Sequence, residues 1–164
     1  MLNVIDLFSK TAYSIPLKSK SSEVIIDAFE RLFTNRRAKK LWTDQGSKFI
    51  SNRFQKLLGD NNIELYHVFN EGKAVVVERF NRTLGEMIQK HLTASNTSRY
   101  IDVLQKLIKE YNTRYHSSIK MAPFQVSDPE NREQVLRNLY SDIKRVKRRQ
   151  KPQFKAGDRV RIYR

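Results

Sequence analysis

Two short segments of the chain carry acidic residues in positions suited to metal chemistry. Asp44 lies in the segment 43–49, and Glu78 begins the segment 78–84, 34 positions later. Asp44 directly follows a predicted strand and Glu78 lies near the start of a predicted helix, so Asp44 would face the crevice where α/β folds bind ligands. Magnesium prefers oxygen ligands, and two such ions can activate an attacking oxygen and stabilise a leaving one. Asp44 and Glu78 are therefore candidate catalytic ligands for Mg²⁺ or Mn²⁺, with two ions in a complete site.

Basic and amide side chains surround the second of these acids in the sequence. Lys73 precedes Glu78, Arg79 follows it directly, and Asn81 and Arg82 lie three and four residues further on. In a helix, residues three and four apart share one neighbourhood. Lysine and arginine bind phosphate as point charges or as planar forks. These four residues are therefore candidate contacts to a DNA backbone.

Simpler interpretations of the same residues remain open on spacing alone. Asp44 with Gln45 and Gly46 could form only a polar turn, in which glycine permits a backbone bend that other residues resist. Glu78 could form only a helical ion pair with Arg82, which is worth about 0.3 kcal/mol. Phe49 would anchor the loop after Asp44 in the core.

The charge distribution favours a polyanionic partner. The formal net charge is +15, and residues 144–164 alone contribute +9, from ten basic residues and one acid. Such a surface attracts nucleic acid, and DNA is the expected partner. The run 144–151 could be a solvated linker, a nuclear import signal or a segment that contacts phosphate. Its candidate DNA contacts are Lys144, Arg145, Lys147, Arg148 and Arg149.

Several function classes are disfavoured by composition. Cysteine is absent, which excludes disulfides and cysteine-containing zinc sites, and the three histidines show no metal-ligand spacing. No apolar run is long enough to span a membrane. We expect a soluble intracellular protein with no membrane partner and no small-molecule substrate.

Hydrophobic periodicity predicts an α/β domain, with a mixed sheet flanked by helices. The first two strands should form an antiparallel hairpin, and Pro16 should place the second strand at an edge or end it. Asp128 and Pro129 are a cap and a first helical residue. The predicted strands are 2–8, 12–17, 40–43 and 63–69; the predicted helices are 22–35, 52–61, 74–94, 98–115 and one from 128.

Taken together, the motifs resemble the retroviral-type integrase core, a DDE family with a ribonuclease H-like fold. The stretches that carry this likeness are 43–49, 78–84, Ile5-Asp6-x-Phe8-Ser9-Lys10, Tyr111-Asn112, His116-Ser117-Ser118 and Met121-Ala122-Pro123-Phe124. The amino-acid sequence of segments 77–84 and 99–104 is most similar to that of integrases of Maverick/Polinton DNA transposons. The resemblance implies magnesium-dependent transfer of DNA 3′ ends into target DNA, with Asp44 and Glu78 as the second and third acids. It also implies a homo-oligomer acting on transposon ends, and nuclear localisation for a host-encoded copy.

One departure from the family pattern concerns the first acid, which should lie on a strand before the segment that begins at Ile5. Asp6 matches a position on the second strand, so the first catalytic aspartate and the central strand of the sheet are expected to be missing. The implied domains are an N-terminally incomplete core (1–143), a basic linker (144–151) and the truncated start of an SH3-like or chromo-like barrel (152–164). We expect weakened metal binding and unpaired sheet edges, and hence marginal stability.

Three interpretations of function follow. The chain could be an integrase core whose remaining acid, the first of the three, comes from other sequence. It could be a catalytically inactive, decayed or domesticated remnant that binds DNA. It could also be a basic nucleic-acid-binding domain unrelated to transposition, which the density of motifs disfavours.

Overall fold

The computed structural model describes residues 1–35, 38–43, 46–67 and 75–146. Helices and strands alternate along these ranges in the manner of an α/β domain. The strands are β1 (Leu2–Ile5), β2 (Ala12–Ile15), β3 (Lys40–Thr43) and β4 (Glu64–His67). The α-helices are α1 (Ser22–Asn35), α2 (Ser47–Ile50), α3 (Asn52–Asp60), α4 (Val75–Ala94), α5 (Leu104–Thr113) and α6 (Pro129–Val146), and 3₁₀ turns span Ile101–Val103 and Pro123–Ser127.

The strands form two separate pairs. β1 and β2 are antiparallel, with Leu2 opposite Ile15 and Ile5 opposite Ala12, which confirms the predicted hairpin. β3 and β4 are parallel. Among the described residues, no strand joins the two pairs into one sheet. Antiparallel and parallel pairing are both present, as predicted for a mixed sheet, but β1 and β3 each keep one edge without a described partner strand.

A shared hydrophobic cluster holds the two strand pairs against α1 and α3. Phe29 and Phe54 lie at its centre with at most 2 % of their surface exposed, and their ring centroids are 5.3 Å apart. Alternate residues of three strands pack against it: Leu2 and Val4, Leu41, and Leu65. Because a two-stranded sheet is marginal alone, this common core is what stabilises each pair.

A second cluster lies on the opposite face of the hairpin, between α4 and α5. Phe80, Leu84 and Leu104 are almost fully buried there around Ala12 of β2. The α4 residues recur at helical spacing, so one stripe of the helix faces the hairpin. A third, smaller cluster joins Ile119, Val126 and Val135 to Phe8 of the hairpin turn.

Some predicted strand boundaries are wrong for identifiable reasons. β1 ends at Ile5 instead of residue 8, because the Asp6 carboxylate accepts the backbone N–H of Phe8 at 2.7 Å and starts a turn. The backbone N–H of Lys10 closes this turn on the Asp6 carbonyl at 2.8 Å. β2 ends at Ile15, directly before Pro16, as expected for a residue that lacks an N–H.

The predicted helices are mostly confirmed, with one shortened and one added. The helix predicted over 98–115 is a 3₁₀ turn followed by α5, and it ends where Arg114 becomes extended (φ −75°, ψ 147°). The short helix α2 was not predicted. At α6, the Asp128 carboxylate accepts the N–H of Glu130 at 3.1 Å, so the predicted cap is confirmed.

The segments predicted as a basic linker and as the start of a C-terminal barrel lie largely outside the described residues. α6 continues to Val146, so the first three residues of the predicted linker are helical. Residues 147–164, with the rest of the linker and the predicted barrel start, lie outside the described ranges. Within the part of the chain that is described, no helix is long and apolar enough to cross a membrane.

Candidate functional site

The carboxyl ends of β3 and β4 lie at the same edge, because the two strands are parallel with Thr43 opposite His67. Asp44 directly follows Thr43 but itself lies outside the described residues. The hydroxyl Oγ1 of Thr43 is buried and, among the described residues, has no hydrogen-bond partner. A buried polar atom left in this way costs about 1–3 kcal/mol. Within the described residues, the hydrogen-bonding capacity of this hydroxyl, next to Asp44, is therefore unmet.

Glu78 is the fourth residue of α4, in the first turn of the helix, and its side chain is exposed. No ion pair joins it to Arg82 or to any other described residue, so the predicted alternative of a simple helical ion pair is wrong. A carboxylate in the first turn is stabilised by the helix dipole. The Glu78 carboxylate is therefore available to an external ligand or metal ion.

The rotation of α4 about its axis is fixed by its buried stripe. Phe80 is 1 % exposed and its ring meets that of Tyr111 on α5 edge-on, with centroids 4.9 Å apart. Leu84, one turn later, is buried against the same cluster. Because Phe80 faces inward, the neighbouring residues Glu78 and Arg79 face outward.

Of the three predicted DNA contacts on α4, two are exposed without an ion pair among the described residues, and the third is hydrogen-bonded to the hairpin. Arg79 and Arg82 are exposed, and neither forms an ion pair within the described residues. Asn81 is also exposed, but its Oδ1 accepts a hydrogen bond of 2.8 Å from Nδ2 of Asn3 on β1. Asn81 therefore joins α4 to the hairpin, a role that sequence reasoning missed.

The other predicted contacts are not described at the level of side chains. Lys73, Lys147, Arg148 and Arg149 lie outside the described residues, and Lys144 and Arg145 are placed only as backbone positions near the end of α6.

The loop after Asp44 differs from its prediction in one respect. Gly46 has φ −57° and ψ 133°, a conformation open to any residue, so the prediction that a glycine is needed for this bend is wrong. Phe49 does reach the core, as predicted: its ring packs edge-on against Phe29, with centroids 6.3 Å apart.

The Asp6 carboxylate accepts hydrogen bonds within the hairpin turn, directly after the end of β1 at Ile5. Its Oδ1 accepts the N–H groups of Phe8 and Ser9 at 2.7 and 3.4 Å.

Asn112 on α5 is a residue whose role the sequence did not reveal. Its side chain accepts from the N–H of Ala12 at 2.8 Å and donates to the carbonyl of Ala12 at 2.9 Å. It thereby takes the place of a neighbouring strand along β2.

One described side chain offers donors of a suitable kind for a hard divalent cation. The exposed Glu78 carboxylate presents oxygen atoms, which magnesium and manganese prefer. Among the residues that the structure describes, which exclude Asp44, no three His, Asp or Glu side chains are grouped to hold a metal ion. Glu78 thus needs donors from outside the described set to complete a site.

Sequence comparison finds similarity to an integrase family in the first part of the chain and to a transposon-derived protein over nearly all of it. Residues 1–68 match the integrase core domain family. Over 164 residues the chain is 29 % identical to a transposon-derived protein of Caenorhabditis elegans, covering 99 % of this chain and 54 % of that protein. The chain therefore spans about half the length of this curated relative.

Structural comparison gives the fold. The chain is similar to the simian T-cell lymphotropic virus intasome in complex with a PP2A regulatory subunit, with a TM-score of 0.70 and 19 % identity over 75 % of this chain and 46 % of that one. It is also similar to the HTLV-2 integrase catalytic core domain in complex with magnesium. The trimeric form gives a TM-score of 0.65 and 20 % identity over 76 % of this chain and 81 % of that one. The fold is therefore the α/β, ribonuclease H-like fold of integrase catalytic cores, as the motifs predicted.

Proposed function

We propose that this chain is the core of a transposon-derived integrase, which joins DNA 3′ ends to target DNA with the help of divalent metal ions. The observation that carries the proposal is the match of residues 1–68 to the integrase core domain, on a fold similar to integrase cores. The candidate acids fit this role, because Asp44 follows the carboxyl end of β3 and Glu78 projects from the first turn of α4.

Asp44 and Glu78 would hold the metal ions, as the second and third acids of the site. When bound, the ions activate the attacking hydroxyl and stabilise the leaving oxygen of the phosphodiester. A complex of the similar HTLV-2 core with magnesium supports the choice of ion. The family resemblance assigns the first acid to a strand before β1.

The exposed arginines of α4 would position the DNA. Arg79 and Arg82 flank Glu78 on the outer side of the helix and lack ion-pair partners among the described residues. Arginine forms paired hydrogen bonds with phosphate oxygens, which fixes the register of the backbone without reading its sequence. The basic segment 144–149 would add further phosphate contacts and, in a host-encoded copy, serve nuclear import.

Self-association is part of the proposal. The HTLV-2 integrase core is known in both trimeric and dimeric forms. The transposon-derived relative supports an origin in a transposon. The proposal that this transposon is of the Maverick/Polinton type rests on the resemblance of segments 77–84 and 99–104.

A second candidate function is DNA binding without catalysis. The exposed Arg79 and Arg82 could contact phosphate whether or not a metal ion is bound. A decayed or domesticated copy would keep the basic surface and the fold while it lost strand transfer.

One assay separates the two functions. The chain is incubated with labelled duplex DNA from the ends of its own element, with supercoiled plasmid as target and with Mg²⁺ or Mn²⁺. Joined products that disappear in Asp44→Asn and Glu78→Gln, but persist in Glu86→Gln on the same helix, establish the integrase function. DNA binding without joined products establishes the binding-only alternative, and absence of DNA binding overturns both.

A further inference from the structure

Two aromatic side chains, Trp42 and Tyr66, lie side by side on the β3–β4 pair. Trp42 on β3 is directly opposite Tyr66 on β4 in the parallel register. Their rings meet edge-on, with centroids 6.2 Å apart and an interplanar angle of 89°. Trp42 keeps 53 % of its surface exposed. Trp42 and Tyr66, which we call the aromatic pair, therefore hold one half-exposed indole ring in a defined position.

The alternation of side chains along β3 and β4 fixes the direction in which the aromatic pair faces. Leu41 and Leu65 pack into the core that the strands share with α1 and α3. Successive side chains of a strand point to opposite faces, so Trp42 and Tyr66 face away from that core. Among the described residues, no buried hydrophobic cluster includes either ring. Within the part of the chain that is described, the aromatic pair is thus an open surface.

Basic residues lie at the amino end of this surface. Nζ of Lys40 is 4.9 Å from the centroid of the Tyr66 ring and 3.8 Å from the carboxylate of Glu64. Lys39, directly before β3, is also exposed. The run 36–40 contains four basic residues and no acid, so Glu64 offsets only part of its charge. The surroundings of the aromatic pair therefore favour an anionic ligand over a cationic one.

The aromatic pair lies between these basic residues and a candidate metal ligand. Asp44 follows the last residue of β3 and is two positions after Trp42 in the sequence. β3 has four residues, so its length is about 10 Å. A DNA strand that runs from the basic residues toward the carboxyl end of β3 would pass over the aromatic pair.

A purely structural role explains the contact between the two rings but not the exposure of Trp42. Cross-strand aromatic pairs stabilise a sheet through the contact of their rings. A smaller apolar residue would give a similar contact without leaving half of an indole ring in solvent. An exposed ring beside a cation suits a nucleotide, because its base stacks on the ring while its phosphate meets the charge. Bases inside a duplex are stacked on each other, so an unpaired base is the one that offers its face.

We propose that Trp42 is a stacking platform for an unpaired base of a DNA strand, with Tyr66 supporting its ring and Lys40 contacting the neighbouring phosphate. This inference rests on the proposed function, because it takes a DNA end as the ligand. It adds a site for a base next to the residues that would hold the metal ions. Neither the acidic motifs nor the basic C-terminal run had assigned these three residues.

The fluorescence of Trp42 tests the platform directly, because Trp42 is the single tryptophan of the chain. The native chain is titrated with a blunt duplex of about 20 base pairs, and with the same duplex carrying about four unpaired nucleotides at its 3′ or 5′ end. We expect an overhang to quench the emission at least about twofold more than the blunt end does. Equal emission with both duplexes, while the anisotropy of labelled DNA shows binding, overturns the platform and leaves the proposed DNA binding intact.

Substitutions separate stacking from charge. We expect Trp42→Ala to weaken binding of the overhang duplex about 5- to 100-fold, with an unchanged salt dependence. Trp42→Phe keeps an aromatic ring and should retain most of the affinity, whereas the apolar Trp42→Leu should not. Lys40→Gln should lower the slope of log affinity against log salt by about 0.7, and Lys56→Gln on α3 should leave it unchanged. Tyr115→Ala, which removes a ring that is 70 % exposed elsewhere, should change the affinity less than about twofold.

The remaining outcomes also decide the proposal. Equal binding of the overhang duplex by the native chain, Trp42→Ala and Trp42→Leu overturns the platform. Emission that changes with protein concentration in the absence of DNA shows that a second copy of the chain covers the aromatic pair, and it overturns the base as occupant. Absence of binding to every duplex overturns both the platform and the proposed DNA binding. The fluorescence titration uses the native chain, so it decides the question even where a Trp42 variant fails to fold.

Discussion

Asn3 on β1 donates a hydrogen bond of 2.8 Å from its Nδ2 to Oδ1 of Asn81 on α4, 78 positions later in the chain. The Oδ1 of Asn3 in turn accepts from the buried hydroxyl of Ser14 on β2 at 2.6 Å. A line of three polar side chains thus runs from the hairpin to the helix. Glu78 lies three residues before Asn81, so this line also fixes the turn that carries the candidate ligand.

Removing the Asn3 side chain should loosen α4 from the hairpin. We expect Asn3→Ala to lower the free energy of unfolding by about 1 kcal/mol, the usual net value of one such hydrogen bond. Urea denaturation followed by circular dichroism measures this. Gln89→Ala, an exposed amide on the same helix, is the control and should change it by less than about 0.5 kcal/mol. Equal effects of the two substitutions would show that the bond between Asn3 and Asn81 does not hold the helix.

Asn112 should contribute more to stability than its sequence context suggests. Its amide satisfies both the N–H and the carbonyl of Ala12, a residue with no exposed surface. We expect Asn112→Ala to cost about 2–4 kcal/mol, because it leaves two buried backbone groups without partners. Thr113→Ala, the next residue and exposed, serves as the control in the same urea experiment. If Asn112→Ala lowers the free energy of unfolding by less than about 0.5 kcal/mol, the two hydrogen bonds from Asn112 to Ala12 do not stabilise the fold as proposed.

Stability should depend on pH through His116. Its pKa is lowered in the folded chain by burial and by the charges of Lys10 and Arg79, so the unfolded chain takes up this proton first as the pH falls. Stability is therefore lost as the pH drops from about 6.5 toward the folded pKa, and it is regained on returning above 6.5. The urea midpoint should fall over this range in the native sequence and fall less in His116→Gln. If the urea midpoint falls more steeply with decreasing pH in His116→Gln than in His91→Gln, the predicted direction of the His116 effect on stability is wrong.

The separation of the two strand pairs should limit the stability of the isolated chain. Each pair has two strands, and among the described residues no strand joins them. Two-stranded sheets are marginal in water, and open edges invite association. We expect the purified chain to melt broadly at a modest temperature and to aggregate near its melting point. A sharp, reversible, high-temperature transition in calorimetry would contradict this expectation.

Local patterns predicted the helices well because their causes are local. Phe80 and Leu84 recur at helical spacing, and Asp128 with Pro129 marks the start of α6; the structure confirms both. The roles of Asn81 and Asn112 could not be predicted in this way. Their partners lie 78 and 100 positions away, and no local periodicity encodes such a contact.

The candidate site remains a prediction in its residue types, and its surroundings could not be predicted. The motif around Glu78 pointed to an acid that the structure leaves exposed and, among the described residues, without an ion pair. The effect of the Lys10 and Arg79 charges on the pKa of His116 was not predicted, because the three residues lie in distant segments of the chain. The conformation of Gly46 was wrongly predicted, because a glycine in a sequence does not itself show that the backbone there needs its conformational freedom.

Binding of Mn²⁺ measured by electron paramagnetic resonance tests most directly whether Asp44 and Glu78 belong to one metal site. We expect Asp44→Asn and Glu78→Gln each to weaken binding about tenfold or more, and the double variant to be little weaker than either, because residues of one site act together. Glu86→Gln, two turns further along α4, should bind as the native chain does. Binding that is unchanged by Glu78→Gln, or effects that simply add in the double variant, would contradict a shared site.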